Sequence, residues 1–479
     1  MPGIVVTTND RQAGASLATP ASGRYFVAGM FQRGPIAATV VASLTQFVAL
    51  YGDRPTYSFA YDDLTTYFRE GGGEAVVARV VGPAATTGTK TFNASGTTTP
   101  AIRFDASSPG SWSADVDIEI TAGASSTVTV AVYYQDELVN RYANLGSVAD
   151  IVNAVAQSAY VQAFDLGGAL PAPSAKSAGA LTAGADDRLN VNTTSMTSAL
   201  NRFSPDFGVG AVAIPGYTVD QVGGALQTHA SDNRRIALLH LPQDGTVADA
   251  VADGEGFVSA QGKSVGIFHP WVQIPGPGNT PLTVPPTGYV AAKRAVAHRT
   301  AGPWRVPAGQ IALASYLVGV DKQYTTAEAN QLDAANISVI RSFAGAIELY
   351  GYRSLSTDEA TYPLLNKQDA TNVVAQDLEA LLQPRVFGSV DADGTFFETI
   401  KGDCIGYLAP IRDEGGLYAL KNAQGEEIDP GYQVVVDATL NTAATLAKNE
   451  VYVKVGLRWS PVAELIYLTI TSVPLTTAF

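Results

Sequence analysis

The sequence predicts a multidomain α/β and α+β protein. It should hold a central α/β sheet domain, an inserted small β-rich domain and a C-terminal α+β domain, with extended terminal arms. Three observations carry this. Between 188 and 345, helical patterns alternate with short apolar runs such as VGAVAIPG, RRIALLHLP and SVGIFHPWV. Runs without polar alternation suit parallel strands covered on both faces. Between 86 and 165 the chain is Thr/Ser-rich and alternates with period two, as in ADVDIEITA and STVTVAVYY, which suits half-buried antiparallel strands. After 346, two helical patterns precede a long alternating stretch, EVYVKVGLRW then ELIYLTITS.

Taken in order, residues 1–22 surround one apolar run, Ile4-Val5-Val6, with Thr, Ala, Gly and Ser. That is too little for a core, so they form an N-terminal arm. Residues 23–85 begin the α/β core. RYFVAGMFQRGP reads as a strand closed by a Gly-Pro turn, VVASLTQFVALYG as a helix, and DDLTTYFREGGGEAVVARVVG as helix, break and strand. Residues 86–187 are the β-rich insertion, with a helix at SVADIVNAVAQSA and a linker, by composition, at 166–187. Residues 188–345 are the central core, and ANISVIRSF and AIELYGYRSLS add strands beyond its alternation. Thr287 is placed to cap a helix over YVAAKRAVAHR. Residues 346–472 form the C-terminal domain and 473–479 a C-terminal arm. Helices are expected near 366–384 and 395–411. Asn366 should cap the first, with Asp369 at its third position and Val374, Leu378, Leu381 and Leu382 as its apolar stripe. Residues 451–471 read as a hairpin. Val451, Val453, Val455, Leu457 and Trp459 share one face of its first strand, and Glu464, Ile466, Leu468 and Ile470 one face of its second.

Composition narrows the function. A formal net charge of −14 over 479 residues, with 46% hydrophobic and 15% charged residues, argues against a general nucleic-acid or anionic-membrane binder. A single cysteine, Cys404, excludes an internal disulfide framework and fits a reducing compartment. The opening MPGIVVTTNDRQAG lacks a basic stretch before a long apolar run, so no signal peptide is expected. No stretch approaches 18 uninterrupted apolar residues, so no membrane insertion is expected.

The enzyme-like strings are weak. Gly262-Lys263-Ser264-Val265-Gly266 matches a nucleophile elbow, but its predicted helix precedes and its strand follows, the reverse of the required order. An α/β hydrolase-like enzyme using Ser264 is the alternative reading this string keeps open. GFVSAQGKS misses the phosphate-loop spacing because Phe257 stands where the first glycine belongs. Gly208-Val209-Gly210 opens a strand, not the helix a dinucleotide fingerprint needs. His229, His240, His269 and His298 lack metal-ligand spacing, and DADGTFFETI lacks a third carboxylate. No catalytic, cofactor or metal residue is assigned.

A resemblance enters at HPWVQIPGPGNTPLTVPPTGYVAAKRAVAHRTAGPWRVPAG. Pro270-Trp271, then Val284-Pro285-Pro286-Thr287-Gly288, then Gly302-Pro303-Trp304-Arg305-Val306-Pro307-Ala308 resemble the contractile tail sheath proteins of phages and related injection systems. FVAGMFQRGP, SLTQFVALYG and YFREGGGEAVVARV are similar to that family's opening pattern. LTAGADD resembles the close of its inserted domain, with Ala183 departing from a glycine. ISVIRSFAGAIELYGYRSLS and the C-terminal stretch with Asp437 and Asn441-Thr442 agree as well. Residues 361–395 depart from the pattern.

The resemblance implies a structural subunit, not an enzyme, without a cofactor. It would polymerise with itself into a helical sheath around an inner tail tube, contact baseplate and tail terminator proteins, and shorten to drive the tube through an envelope. The implied location is a virion tail assembled in host cytoplasm, or a cytoplasmic injection particle. Residues 346–472 would be the polymerisation domain. Ile4, Val5 and Val6, with Val451, Val453, Val455, Ile466, Leu468 and Ile470, are the expected inter-subunit arm contacts, since a short isolated strand and an apolar sheet edge suit one another. Lys367, Gln368, Gln376 and Glu379 are candidates to face the tube. Arg294, Arg299 and Arg305 are lattice-contact candidates, with pairing inside the chain as the other possibility.

Overall fold

The computed structural model describes residues 22–464 together with Tyr467 and Thr469. Ile4, Val5, Val6, Ile466, Leu468 and Ile470 therefore lie outside the described residues, as does the arm 473–479. The chain divides into two units. The first runs to Pro303 and resumes over Pro307–Val373; the second takes Trp304–Val306 and the chain from Val374 onward.

The first unit opens with strands β1 (Tyr25–Gly29) and β2 (Thr39–Val41), helices α1 (Leu44–Tyr51) and α2 (Ala60–Arg69), and strand β3 (Ala75–Arg79). Ser43 caps α1 by accepting from the Gln46 N–H, and the Gly-rich break after α2 turns the chain into β3. The predicted helix over 40–52 begins later than its apolar run, because Thr39–Val41 pairs antiparallel with β3 first.

The insertion follows as β4 (Thr89–Asn93), β5 (Pro100–Ala106), β6 (Val116–Ala122), β7 (Val128–Tyr134), β8 (Glu137–Leu145), α3 (Val148–Val155) and β9 (Val161–Asp165). These make two antiparallel sheets, β4-β5-β9 and β6-β7-β8. Period-two alternation puts Val116, Ile118, Ile120, Val130 and Val132 into one core with Phe104 and Trp112. The segment 166–187 is not a linker. It is stitched to the insertion through bridges at Ala94 with Pro171, Ile120 with Ser174 and Asp117 with Ala180. Its small residues permit this. A β-carbon at Gly179 would lie 1.7 Å from the Ile118 carbonyl oxygen.

The chain returns to the core with α4 (Thr193–Ser198), β10 (Gly210–Ala213), α5 (Val219–Asp232), β11 (Arg235–His240), α6 (Val247–Glu255) and β12 (Val265–His269). A side sheet holds β13 (Val272–Pro275), β14 (Pro281–Val284) and β15 (Gly319–Val320), interrupted by α7 (Thr287–Ala301). Then come α8 (Thr326–Ala334), β16 (Ile337–Phe343) and β17 (Ala346–Tyr350). The main sheet has eight strands in the order β17-β16-β12-β11-β10-β1-β3-β2. Pairing is parallel from β3 through to β16, with antiparallel β2 and β17 at the edges. The expected boundary at 345 is therefore corrected: β17 belongs to the core sheet, because Ala344 and Gly345 turn the chain straight back along β16.

The second unit contains the C-terminal half of α9 (Leu365–Leu382), then α10 (Thr395–Asp413), β18 (Leu420–Lys421), β19 (Glu427–Asp429), β20 (Tyr432–Val435), α11 (Ala443–Leu446) and β21 (Lys454–Leu457). Asn366 does not cap α9, which starts one residue earlier at Leu365. Val374 and Leu378 join the core with Leu382 against it, whereas Leu381 is exposed. The second strand of the hairpin expected over 451–471 lies largely outside the described residues. Among the described residues the hairpin's first half pairs with β20, with Tyr432 opposite Leu457 and Val435 opposite Lys454.

Candidate functional site

Helix α7 is buried on nearly every side, and its buried polar residues each meet a partner from a distant element. The Asp63 carboxylate of α2 sits at its N-terminus and accepts from the Gly288 N–H at 2.6 Å, the Thr287 hydroxyl at 2.5 Å and the Tyr25 hydroxyl at 2.7 Å. Thr287 thus occupies the first helical position and donates outward; the capping acceptor comes from another helix. Glycine is required at 288, where a β-carbon would lie 2.1 Å from the Asp63 carbonyl oxygen. Burial raises the Asp63 carboxyl to about 7 against these three donors.

One turn on, Lys293 pairs with Glu70 at 2.6 Å. Glu70 also accepts the N–H groups of Ser315, Tyr316 and Leu317. Arg294 makes a two-pronged pair with Asp369, Nε to Oδ2 at 2.6 Å and Nη2 to Oδ1 at 2.7 Å. His298 joins the same carboxylate at 3.0 Å through Nε2, and its Nδ1 meets the Ser22 hydroxyl at 3.0 Å. Burial alone would raise Asp369, but Arg294 and His298 outweigh it and hold the group at about 2. Burial, and then Arg294, keeps His298 below its ordinary value.

This corrects the placement of Arg294: it has no exposed surface to offer a neighbouring molecule. Arg299 is exposed and donates to the Gly71 carbonyl at 3.2 Å, and Arg305 is exposed. Of the tube-facing candidates, Gln368 is buried and donates to the Asn372 side chain. Lys367 and Gln376 are half-buried and Glu379 is exposed. Val451, Val453, Val455, Leu457 and Trp459 do share a face, and that face packs on the second unit's own core. Their side chains are therefore not free contacts. Asn441, absent from the predicted sites, holds this stretch by pairing with both the N–H and the carbonyl of Tyr452, at 2.6 and 2.9 Å. Trp304, which lends itself to the second unit, packs on that core too.

In doubly wound sheets ligands bind beyond the C-terminal strand ends where the strand order reverses. Here the reversal lies between β1 and β10, and it is filled. A β-carbon at Gly29 would meet Ala60 at 2.2 Å, and one at Gly216 would meet Phe59 at 2.8 Å. Phe59 stands edge-on to Trp271 with centroids 5.2 Å apart, and Trp271 meets His240 at 5.3 Å. Ser264 is buried at the start of β12, at the opposite sheet end from that reversal, so it has no elbow geometry. Among the described residues no group of three or more His, Cys, Asp and Glu side chains could hold a metal ion. No described helix is long and apolar enough to cross a membrane.

Acid is expected to destabilise this core. Burial holds His229, His240 and His269 down to about 4, against about 6.5 in an unfolded chain. The unfolded chain takes up protons that the folded chain refuses between those values. Stability is thus full above about pH 6.5 and falls as pH drops toward 4. Asp63 works the other way over nearly the same range, and three histidines outweigh one carboxyl. The denaturant midpoint should be lower at pH 4.5 than at pH 7.5, with His240→Gln weakening the dependence. Equal midpoints would show that the histidines gain protons without cost.

No family model and no curated protein matches the chain. Solved structures do. The sheath tail protein of Listeria innocua aligns with a TM-score of 0.62 at 14% identity, covering 87% of this chain and 89% of that one. The chain has the tail-sheath fold. A second sheath tail protein with this fold, from Desulfitobacterium hafniense, gives a TM-score of 0.57 at 14% identity, over 91% of this chain and 94% of that one. The sheath complex of an extracellular contractile injection system, in its contracted state, gives 0.57 at 13% identity over 98% and 97%. Within this fold the network around α7 ties that helix to α2 and to the start of α9.

Proposed function

We propose that the chain is a structural subunit that polymerises into a helical sheath around an inner tube and shortens to drive the tube through a cell envelope. The observation that carries this is the extent of the likeness, which spans 98% of this chain and 97% of a sheath chain in the contracted state. The filled reversal point supports it, since a subunit whose energy lies in its interfaces needs no nucleotide crevice. Subunits that shift without separating need contacts that survive rotation. Strands lent to a neighbour's sheet do this through main-chain hydrogen bonds. Among the described residues the β20–β21 ladder has two strands, and an isolated two-stranded ladder is marginal in water; strands lent by neighbouring copies would extend it. Inner tube, baseplate and terminator proteins are the remaining partners of this reading. Arg299, Arg305, Lys367, Gln376 and Glu379 stay as candidate contact residues in it.

The test is truncation. Removing residues 1–20, or the tail from Val473, should leave folded monomers with an unchanged thermal transition and no tubes under negative-stain microscopy. Tubes of normal appearance from either truncated protein would defeat strand lending. Failure of the full-length chain to form any tube or disc would count against the sheath role itself.

A further inference from the structure

Ser22 is the first described residue, and what it touches is unusual for the root of an arm. Its hydroxyl meets His298 Nδ1, whose other nitrogen meets Asp369, which in turn holds Arg294. The side chains of His298, Asp369 and Arg294 are 3%, 2% and 0% exposed, so the relay is fixed by packing. Its protonation pattern follows from its ends. A carboxylate only accepts, so Nε2 carries the proton; Nδ1 is then an acceptor in the neutral ring, and the Ser22 hydroxyl donates to it. The next residue is fixed as well. The Tyr67 hydroxyl donates to the Gly23 carbonyl at 3.0 Å, and a β-carbon at Gly23 would lie 3.1 Å from Ala295 on the same helix. The backbone at 22–23 therefore lies against α7 and is held there at two points.

We infer that Ser22, His298 and Asp369 are positioning residues that set where, and in which direction, the N-terminal arm leaves the folded body. This rests on the arm-lending reading above and adds its point of departure. A strand must reach one particular edge on a neighbour, so the place from which its tether starts decides how often it arrives. Holding the root at Ser22 confines the tether to the side of the body where α7 ends. Freeing it lets the departure point slip back toward Arg24, which is held separately by Glu74.

The experiment compares Ser22→Ala, Ser22→Thr, Gly23→Ala and the 1–20 deletion in the otherwise complete chain. The threshold concentration for polymer is read by sedimentation, and thermal unfolding alongside it. Ser22→Ala should raise the threshold about five- to tenfold, the factor one lost hydrogen bond carries, with an unchanged thermal transition. Ser22→Thr keeps the hydroxyl and should restore the threshold. Gly23→Ala should raise it by crowding Ala295. In dilute monomers, protease cleavage within residues 1–21 should be faster in Ser22→Ala, a readout independent of assembly. A wild-type threshold and cleavage rate in Ser22→Ala, with assembly still abolished by the deletion, would overturn the relay and leave arm lending intact. Normal assembly of the deletion would overturn both.

Discussion

Replacing Asp369 by Ala is expected to lower the unfolding free energy of the first unit by about 3–5 kcal/mol, the usual cost of stripping one partner from a buried ion pair. The reason is local. Arg294 has no solvent access and Asp369 receives two of its N–H groups and one from His298. Without the carboxylate a guanidinium stays charged in an apolar setting, and no water reaches it. Asp369→Asn should fall between, since an amide oxygen accepts but does not neutralise. Arg294→Met combined with Asp369→Leu should recover much of the loss, because charge burial is removed together with its compensation. Denaturant unfolding followed by a probe in the first unit reads all three. A change under about 1 kcal/mol for Asp369→Ala would mean that the pair is solvated after all.

The second large effect is expected at Trp271. Truncation to Ala should cost about 3–5 kcal/mol, the range for large aromatic side chains in cores. Trp271 is 6% exposed, donates from its indole nitrogen to the Leu241 carbonyl at 2.9 Å and separates Phe59 from His240. Its removal would open the sheet at the reversal of strand order, where rigid neighbours cannot collapse. Trp271→Phe keeps most of the volume and should cost less than half as much. Equal losses for both variants would assign the effect to the hydrogen bond and not to the filling.

Much of the core was legible because burial on both faces leaves an unmistakable apolar run, as in β11 and β12. Period two likewise revealed the insertion. What failed did so for identifiable reasons. Segment 166–187 joins its sheets through backbone bridges and adds few side chains to the core, Leu170 and Leu181 among them, so its Ala, Gly and Ser resemble a linker. The β16–β17 hairpin crosses the expected boundary because the turn at Ala344 and Gly345 looks like any other loop. Alternation at 451–459 correctly identified the buried face of β21, but not its partner, since period two says nothing about which strand lies alongside. The cations of α7 were conspicuous in sequence as possible surface contacts. The carboxylates that meet Lys293 and Arg294 come from residues 70 and 369, and no local spacing connects them.

The position of β1 in the main sheet bears on how the chain folds. It is the first of the described strands to be synthesised, and it pairs on one side with β3 and on the other with β10, Tyr25 lying opposite Ala211. Everything from the insertion through α4 must leave the ribosome before that second partner exists. The insertion has a separate core built on residues such as Ile102, Phe104, Val130 and Ile151, so it can close while β1 waits with one edge bare. Long-range parallel pairing is slow, and bare apolar edges attract other chains during the delay. Under the proposed sheath role, the subunit would thus pass through an interval in which polymerising is a fault. Refolding at rising protein concentration should accordingly lose yield at the step that joins β10 to β1, after the insertion has formed.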